Sequence, residues 1–95
     1  MPVEQIAWIE ANGKRLCAHT GTGVFPLPGP LRDLQNELDP ETFIRINRST
    51  LVNVTFVREI QKSFRGDYLF LMKDGKRLRS SAFGRPAVLR LLGRN

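Results

Sequence analysis

Ninety-five residues, 41% hydrophobic and 25% charged, make one small domain with a single core, a composition that disfavours disorder and membrane spanning. No apolar run approaches the roughly 18–20 residues that cross a bilayer, and the opening MPVEQIAWIE lacks a basic n-region and apolar h-region, so the expected location is the cytoplasm. The net charge of +6 is unevenly distributed, with three basic against six acidic side chains in residues 1–43 and twelve against three in residues 44–95, and clustered Lys and Arg of this kind attract phosphate.

Residues 6–24, IAWIEANGKRLCAHTGTGV, read as a strand, a turn at Asn12-Gly13, a second strand and a turn at Gly21-Thr22-Gly23. Asn-Gly between apolar runs is a strong hairpin signal, because a type I′ turn needs positive φ at both central positions. Cys17 excludes an internal disulfide and a CxxC site, and its LCAH setting makes it a buried structural thiol. Phe25 and Leu27 alternate with Pro26, Pro28 and Pro30, which fits an edge strand or an extended connection. Leu31, Leu34 and Leu38 form the apolar stripe of a short helix that ends at Asp39-Pro40.

Phe43 to Asn47 and Leu51 to Ile60 are rich in β-branched and aromatic residues and read as two strands around the polar junction Arg48-Ser49-Thr50. Phe64 to Leu71 is a further strand with Arg65-Gly66-Asp67 at or near a turn, and Asp74-Gly75 marks a hairpin into Lys76 to Ser81. From Pro86, PAVLRLLG starts a second short helix that Gly93 ends. The sum is a mainly β domain with many short strands and one or two short helices.

Catalysis has little to work with. His19 is the single histidine, and SxxK, HExxH, GxSxG and P-loop patterns are absent, so no catalytic residue, metal site or cofactor is expected. Binding is better supported. In FIRIN, Ile44 and Ile46 share one strand face while Phe43, Arg45 and Asn47 share the other, and Arg48, Ser49 and Thr50 then interrupt the strand. Guanidinium, amide and hydroxyl groups suit phosphate oxygens and base edges. The alternative is that Asn47 and Ser49 satisfy local backbone groups at a turn while the arginines are solvated.

The junction, in company with its surroundings, resembles the LytTR domain, a DNA-binding output module of bacterial transcription regulators. WIEANGKRLCAHT (8–20) resembles the opening hairpin of that family. PLRDLQNELDPETFIRINRSTLVNVTFVREI (30–60) is similar to its most recognisable block, and GDYLFLMKDGKRLRSS (66–81) to its closing hairpin. The resemblance implies several short antiparallel sheets in an elongated β sandwich, with loops that enter successive major grooves and cross the minor groove between them. By position it implies groove contacts from Lys14 and Arg15 in the hairpin loop, from Asn47, Arg48 and Ser49 at the junction, and from Ser80, Ser81 or Ala82 after the last strand. Arg45, Lys73, Lys76, Arg77, Arg79 and Arg85 are phosphate candidates, which position a protein without reading sequence.

The chain has Asn47 where the family often has histidine, and Ser80-Ser81-Ala82 where V-S-R is common, so Arg79 or Arg85 would have to serve the second major groove. The implied partner is double-stranded DNA in tandem half-sites, with a homodimer on DNA as one arrangement, and the chain is either an output domain of a longer protein with a receiver or sensory part or a stand-alone regulator. The competing readings are an RNA-binding β module, which would expose stacking aromatics, and a basic protein-interaction domain.

Overall fold

IAWI at the start of the first strand is apolar without alternation, the pattern of a strand covered on both faces. The structure, a computed structural model, describes residues 2–63 and 65–93. Strand β1 (Ile6–Asn12) sits at the centre of a five-stranded antiparallel sheet, between β2 (Arg15–Thr20) and β5 (Thr50–Asn53). Beyond these lie β3 (Gly23–Leu27) at one edge and β4 (Phe43–Asn47) at the other. One face of this sheet packs on a three-stranded sheet of β6 (Val57–Lys62), β7 (Tyr68–Met72) and β8 (Arg77–Arg79), together with helix α2 (Arg85–Leu92). Trp8, Ile44, Ile46, Val52, Phe70, Met72 and Val88 fill that layer. Ile6, Ile9, Leu16, Ala18, Phe43 and Leu51 fill the opposite layer, under helix α1 (Leu31–Glu37) with Leu31 buried and Leu34 and Leu38 beside it. The expected β sandwich with short helices is the fold found.

Four local details differ from the sequence reading. Asn12 pairs with Arg15, so Gly13 and Lys14 are the central turn residues and only Gly13 has positive φ, +65°. That is the φ pattern of a type II′ turn with glycine at its first central position, not of the expected I′ turn. The single strand expected over Leu51 to Ile60 is two strands in different sheets. Asn53 ends β5 because its buried side chain accepts from the Thr55 amide at 3.0 Å and caps a 3-10 turn over Val54–Phe56, which carries the chain from one sheet to the other. Strand β7 starts at Tyr68 rather than Phe64, because Asp67 and Ser63 close a turn over Gly66 (φ +87°); Phe64 itself lies outside the described residues. Cys17 is half-buried, since its strand neighbour β3 is an edge. Among the described residues no helix is long and apolar enough to cross a membrane.

Candidate nucleic-acid interface

At one end of the five-stranded sheet the β1–β2 and β4–β5 hairpin tips meet. Ala11, near the end of β1, donates its backbone N–H to the Ser49 carbonyl at 2.8 Å, which sets the exposed Lys14 and Arg15 beside the Arg48-Ser49 turn. The Asn47 amide organises this turn from within. Its Oδ1 accepts from the Ser49 N–H at 2.9 Å and from the Ser49 hydroxyl at 3.0 Å, while its Nδ2 donates to the Arg79 carbonyl at 2.8 Å. One side chain thus shapes the junction and ties it to the last strand, 32 residues on.

A bulge draws the closing loop onto the same place. Arg45 pairs with Leu51 and Asn47 with Thr50, which leaves Ile46 without a partner in β5, and its carbonyl instead accepts the Ser81 N–H at 3.0 Å. A 3-10 turn over Ala82–Gly84 follows, with Gly84 buried against Ile46 so closely that a Cβ there would lie 2.0 Å from the Ile46 carbonyl oxygen. Glycine is required by this backbone approach, not by its φ of −90°. Asn47, Arg48, Ser49, Ser81, Ala82 and Phe83 line the open hollow that results.

The arginines differ in freedom. Arg45 donates through Nη1 to Gln35 Oε1 at 3.2 Å and through Nη2 to the Arg48 carbonyl, and its Nε is buried with no hydrogen-bond partner among the described residues. Burial first, and the Arg48 charge second, lower its pKa from the ordinary arginine value. Arg48 is exposed. Both guanidinium carbons lie over the Phe83 ring, at 4.9 Å for Arg45 and 5.0 Å for Arg48.

The structure therefore gathers Arg45, Asn47, Arg48, Ser49, Ser81 and Ala82, with Lys14 and Arg15 alongside and Arg79 joined through its carbonyl. Ser80 has a different place from the one its sequence position implied. It is 3% exposed, and its hydroxyl accepts the Tyr68 N–H at 2.8 Å, so it braces β7 and offers no surface to a ligand in this arrangement. Arg77 is exposed on β8, opposite Leu71. Arg85 begins α2 with its guanidinium near Gly66. Lys73 and Lys76 are not part of the cluster: Lys73 flanks a cleft with Ala7, Thr20 and Gly21 at the opposite end of β1, and Lys76 lies over Trp8 at 5.5 Å.

Sequence reasoning missed Phe83, which lies outside any strand or helix periodicity; its exposure of 44% is visible only once Gly84 is docked. His19, the single histidine, stacks on Trp8 with ring centroids 3.5 Å apart and Nε2 2.9 Å from Glu10, a packed strand residue. Among the described residues no group of three or more His, Cys, Asp and Glu side chains is arranged to hold a metal.

Comparison with known proteins agrees with the geometry. A family model described as the LytTr DNA-binding domain matches residues 1–92. The transcriptional regulatory protein YpdB of Escherichia coli K12 is 30% identical over 73 residues, which cover 77% of this chain and 30% of that protein. The CO-responsive transcriptional regulator RcoM of Rhodospirillum rubrum is 33% identical over 88 residues, covering 93% and 36% respectively. The chain spans about a third of the length of these relatives. A solved LytTr DNA-binding domain from Bacillus cereus has the same fold, with a TM-score of 0.92 at 24% identity over 99% of this chain and 86% of that one. The two-sheet fold, the basic loop cluster and the match over nearly all its residues have one explanation: the chain belongs to the LytTR family of DNA-binding domains.

Proposed function

We propose that this domain recognises a specific duplex sequence as the output part of a bacterial transcription regulator, with the hairpin tip, the Arg48 junction and the closing loop as its reading edge. The observation that carries this reading is the double tether at the junction. Asn47 to Arg79 and Ser81 to Ile46 hold two loops from distant parts of the chain in one fixed relation, with basic and polar groups at the surface. Such preorganisation is what a protein needs to insert loops at set spacing along a duplex without paying to order them on binding.

In this reading Lys14 and Arg15 enter one major groove, Arg48 with Ser49 lies at the middle of the site, and Ser81 and Ala82 face the next major groove. Asn47 acts mainly through the loops it fixes. Arg79 and Arg85 neutralise phosphate nearby, and Arg77 and Arg45 add to the local positive field. Lys73 and Lys76 contribute only long-range attraction. The regulator as a whole pairs this domain with a receiver or sensory part, lies in the cytoplasm, and places two copies on tandem half-sites. An RNA-binding module is less well supported: among the described residues the two exposed aromatic side chains are Phe25, on the edge strand, and Phe83, whose ring is occupied by two arginines.

The test is selection from a randomised duplex library, followed by fluorescence anisotropy with enriched duplex, scrambled duplex and single-stranded RNA at two salt concentrations. An advantage of the enriched duplex that persists at the higher salt is expected. Equal and steeply salt-dependent binding to all three would leave only the electrostatic attraction of a basic surface.

A further inference from the structure

Phe83 is an exposed aromatic in a place that stability does not explain. At 44% exposure it contributes little to the core, yet the backbone that carries it is fixed on both sides, by the Ser81 N–H on the Ile46 carbonyl and by Gly84 packed against the same group. The ring so fixed lies under two guanidiniums. Arg45 is already secured by Gln35 and by the Arg48 carbonyl, so it completes a rigid platform with the ring. Arg48 is the free member. An exposed arginine samples many rotamers, and an aromatic face removes much of that freedom while leaving the N–H groups at the guanidinium edge available for a base edge or phosphate.

We propose that Phe83 is a positioning residue for DNA recognition, whose exposed ring holds the Arg48 guanidinium in the orientation that meets the duplex. The inference rests on the function proposed above and deepens it. Preorganising one long side chain changes binding by about two- to ten-fold. It also gives the chain a way to specify sequence next to Ala82, where no long side chain is available.

The experiment uses the enriched duplex with Phe83→Leu, Phe83→Tyr, Arg48→Met and the double variant Phe83→Leu/Arg48→Met, each checked for unchanged thermal unfolding. Leucine keeps apolar bulk but has no π face; tyrosine keeps the face. Phe83→Leu is expected to weaken binding about two- to ten-fold and to relax base preference at the same positions as Arg48→Met, to cost nothing further in the Arg48→Met background, and to be rescued by tyrosine. Full affinity of Phe83→Leu, or losses that simply add to those of Arg48→Met, would overturn the positioning role while leaving the proposed function intact. A wild-type domain that shows no duplex preference at all would sink both.

Discussion

Replacing Gly84 with alanine inserts one methyl group where the structure has no room for it. The new Cβ would stand 2.0 Å from the Ile46 carbonyl oxygen, 2.2 Å from its carbon and 2.6 Å from its Cα, all backbone atoms of a strand inside the core layer. Restoring van der Waals distance requires the closing turn to move by more than about 1 Å, since heavy-atom contacts below about 3.5 Å are repulsive. Such a shift breaks the Ser81 to Ile46 hydrogen bond and loosens the packing of Val88 one turn into α2. Overpacking costs about 1–3 kcal/mol and a lost hydrogen bond about 1 kcal/mol, so the expected loss is about 2–4 kcal/mol. For a domain of this size that lowers Tm by roughly 10 °C or more. Gly93→Ala is the control: a Cβ there meets the Leu89 carbonyl oxygen at 3.4 Å, an ordinary contact, and little change is expected. Thermal and urea unfolding of both variants followed by Trp8 fluorescence decides the matter. A Gly84→Ala domain as stable as wild type would mean that the closing loop does not dock on Ile46, and the interface built on that docking would fall with it.

Three further perturbations separate scaffold from reading surface. Asn53 is 1% exposed, donates to the Ile6 carbonyl at 2.9 Å and accepts from the Thr55 N–H and hydroxyl; Asn53→Ala should cost about 2–4 kcal/mol in urea unfolding while DNA affinity per folded molecule stays the same. Asn47→Asp keeps the acceptor for Ser49 but replaces the donor to the Arg79 carbonyl with a second acceptor, so affinity for the enriched duplex should fall at least several-fold with stability lowered by only about 1 kcal/mol, as titration and melting will show. Salt titrations should distinguish the phosphate candidates: Arg79→Gln and Arg85→Gln each flatten the slope of log K against log salt by about one unit, and Lys73→Gln leaves it unchanged.

Local signals carried most of the architecture into the sequence. Asn12-Gly13 and Asp74-Gly75 announce hairpins, and Leu31, Leu34 and Leu38 announce a helix, because each feature depends on neighbours within a few residues. The interface depends on contacts that no local pattern encodes. The Ile46 bulge looks like uninterrupted alternation until its carbonyl is seen to accept from Ser81, and the sequence offers Asn47 as a ligand contact or as a local turn residue, which it is through Ser49, but not as the tether to Arg79. The apolar neighbours Leu51, Val52 and Val54 mark Asn53 as a buried structural amide bonded to backbone, as found, but they do not reveal that its capping of Thr55 turns the chain into the other sheet. Ser80 and Ser81 are adjacent and identical, yet one braces β7 and the other lines the surface hollow, a difference set by which side of the chain faces Tyr68. Gly84 and Phe83 acquire meaning only together, the glycine by close approach and the ring by what that approach presents.

The most direct test of the interface is an amide chemical-shift titration of the isotopically labelled domain with the enriched duplex. The account predicts that the largest perturbations fall on three separate stretches, 13–15, 47–49 and 81–83, with the segment 73–76 little affected. Perturbations centred on residues 73–76 or on the β3 edge, with the Arg48 junction unchanged, would contradict it.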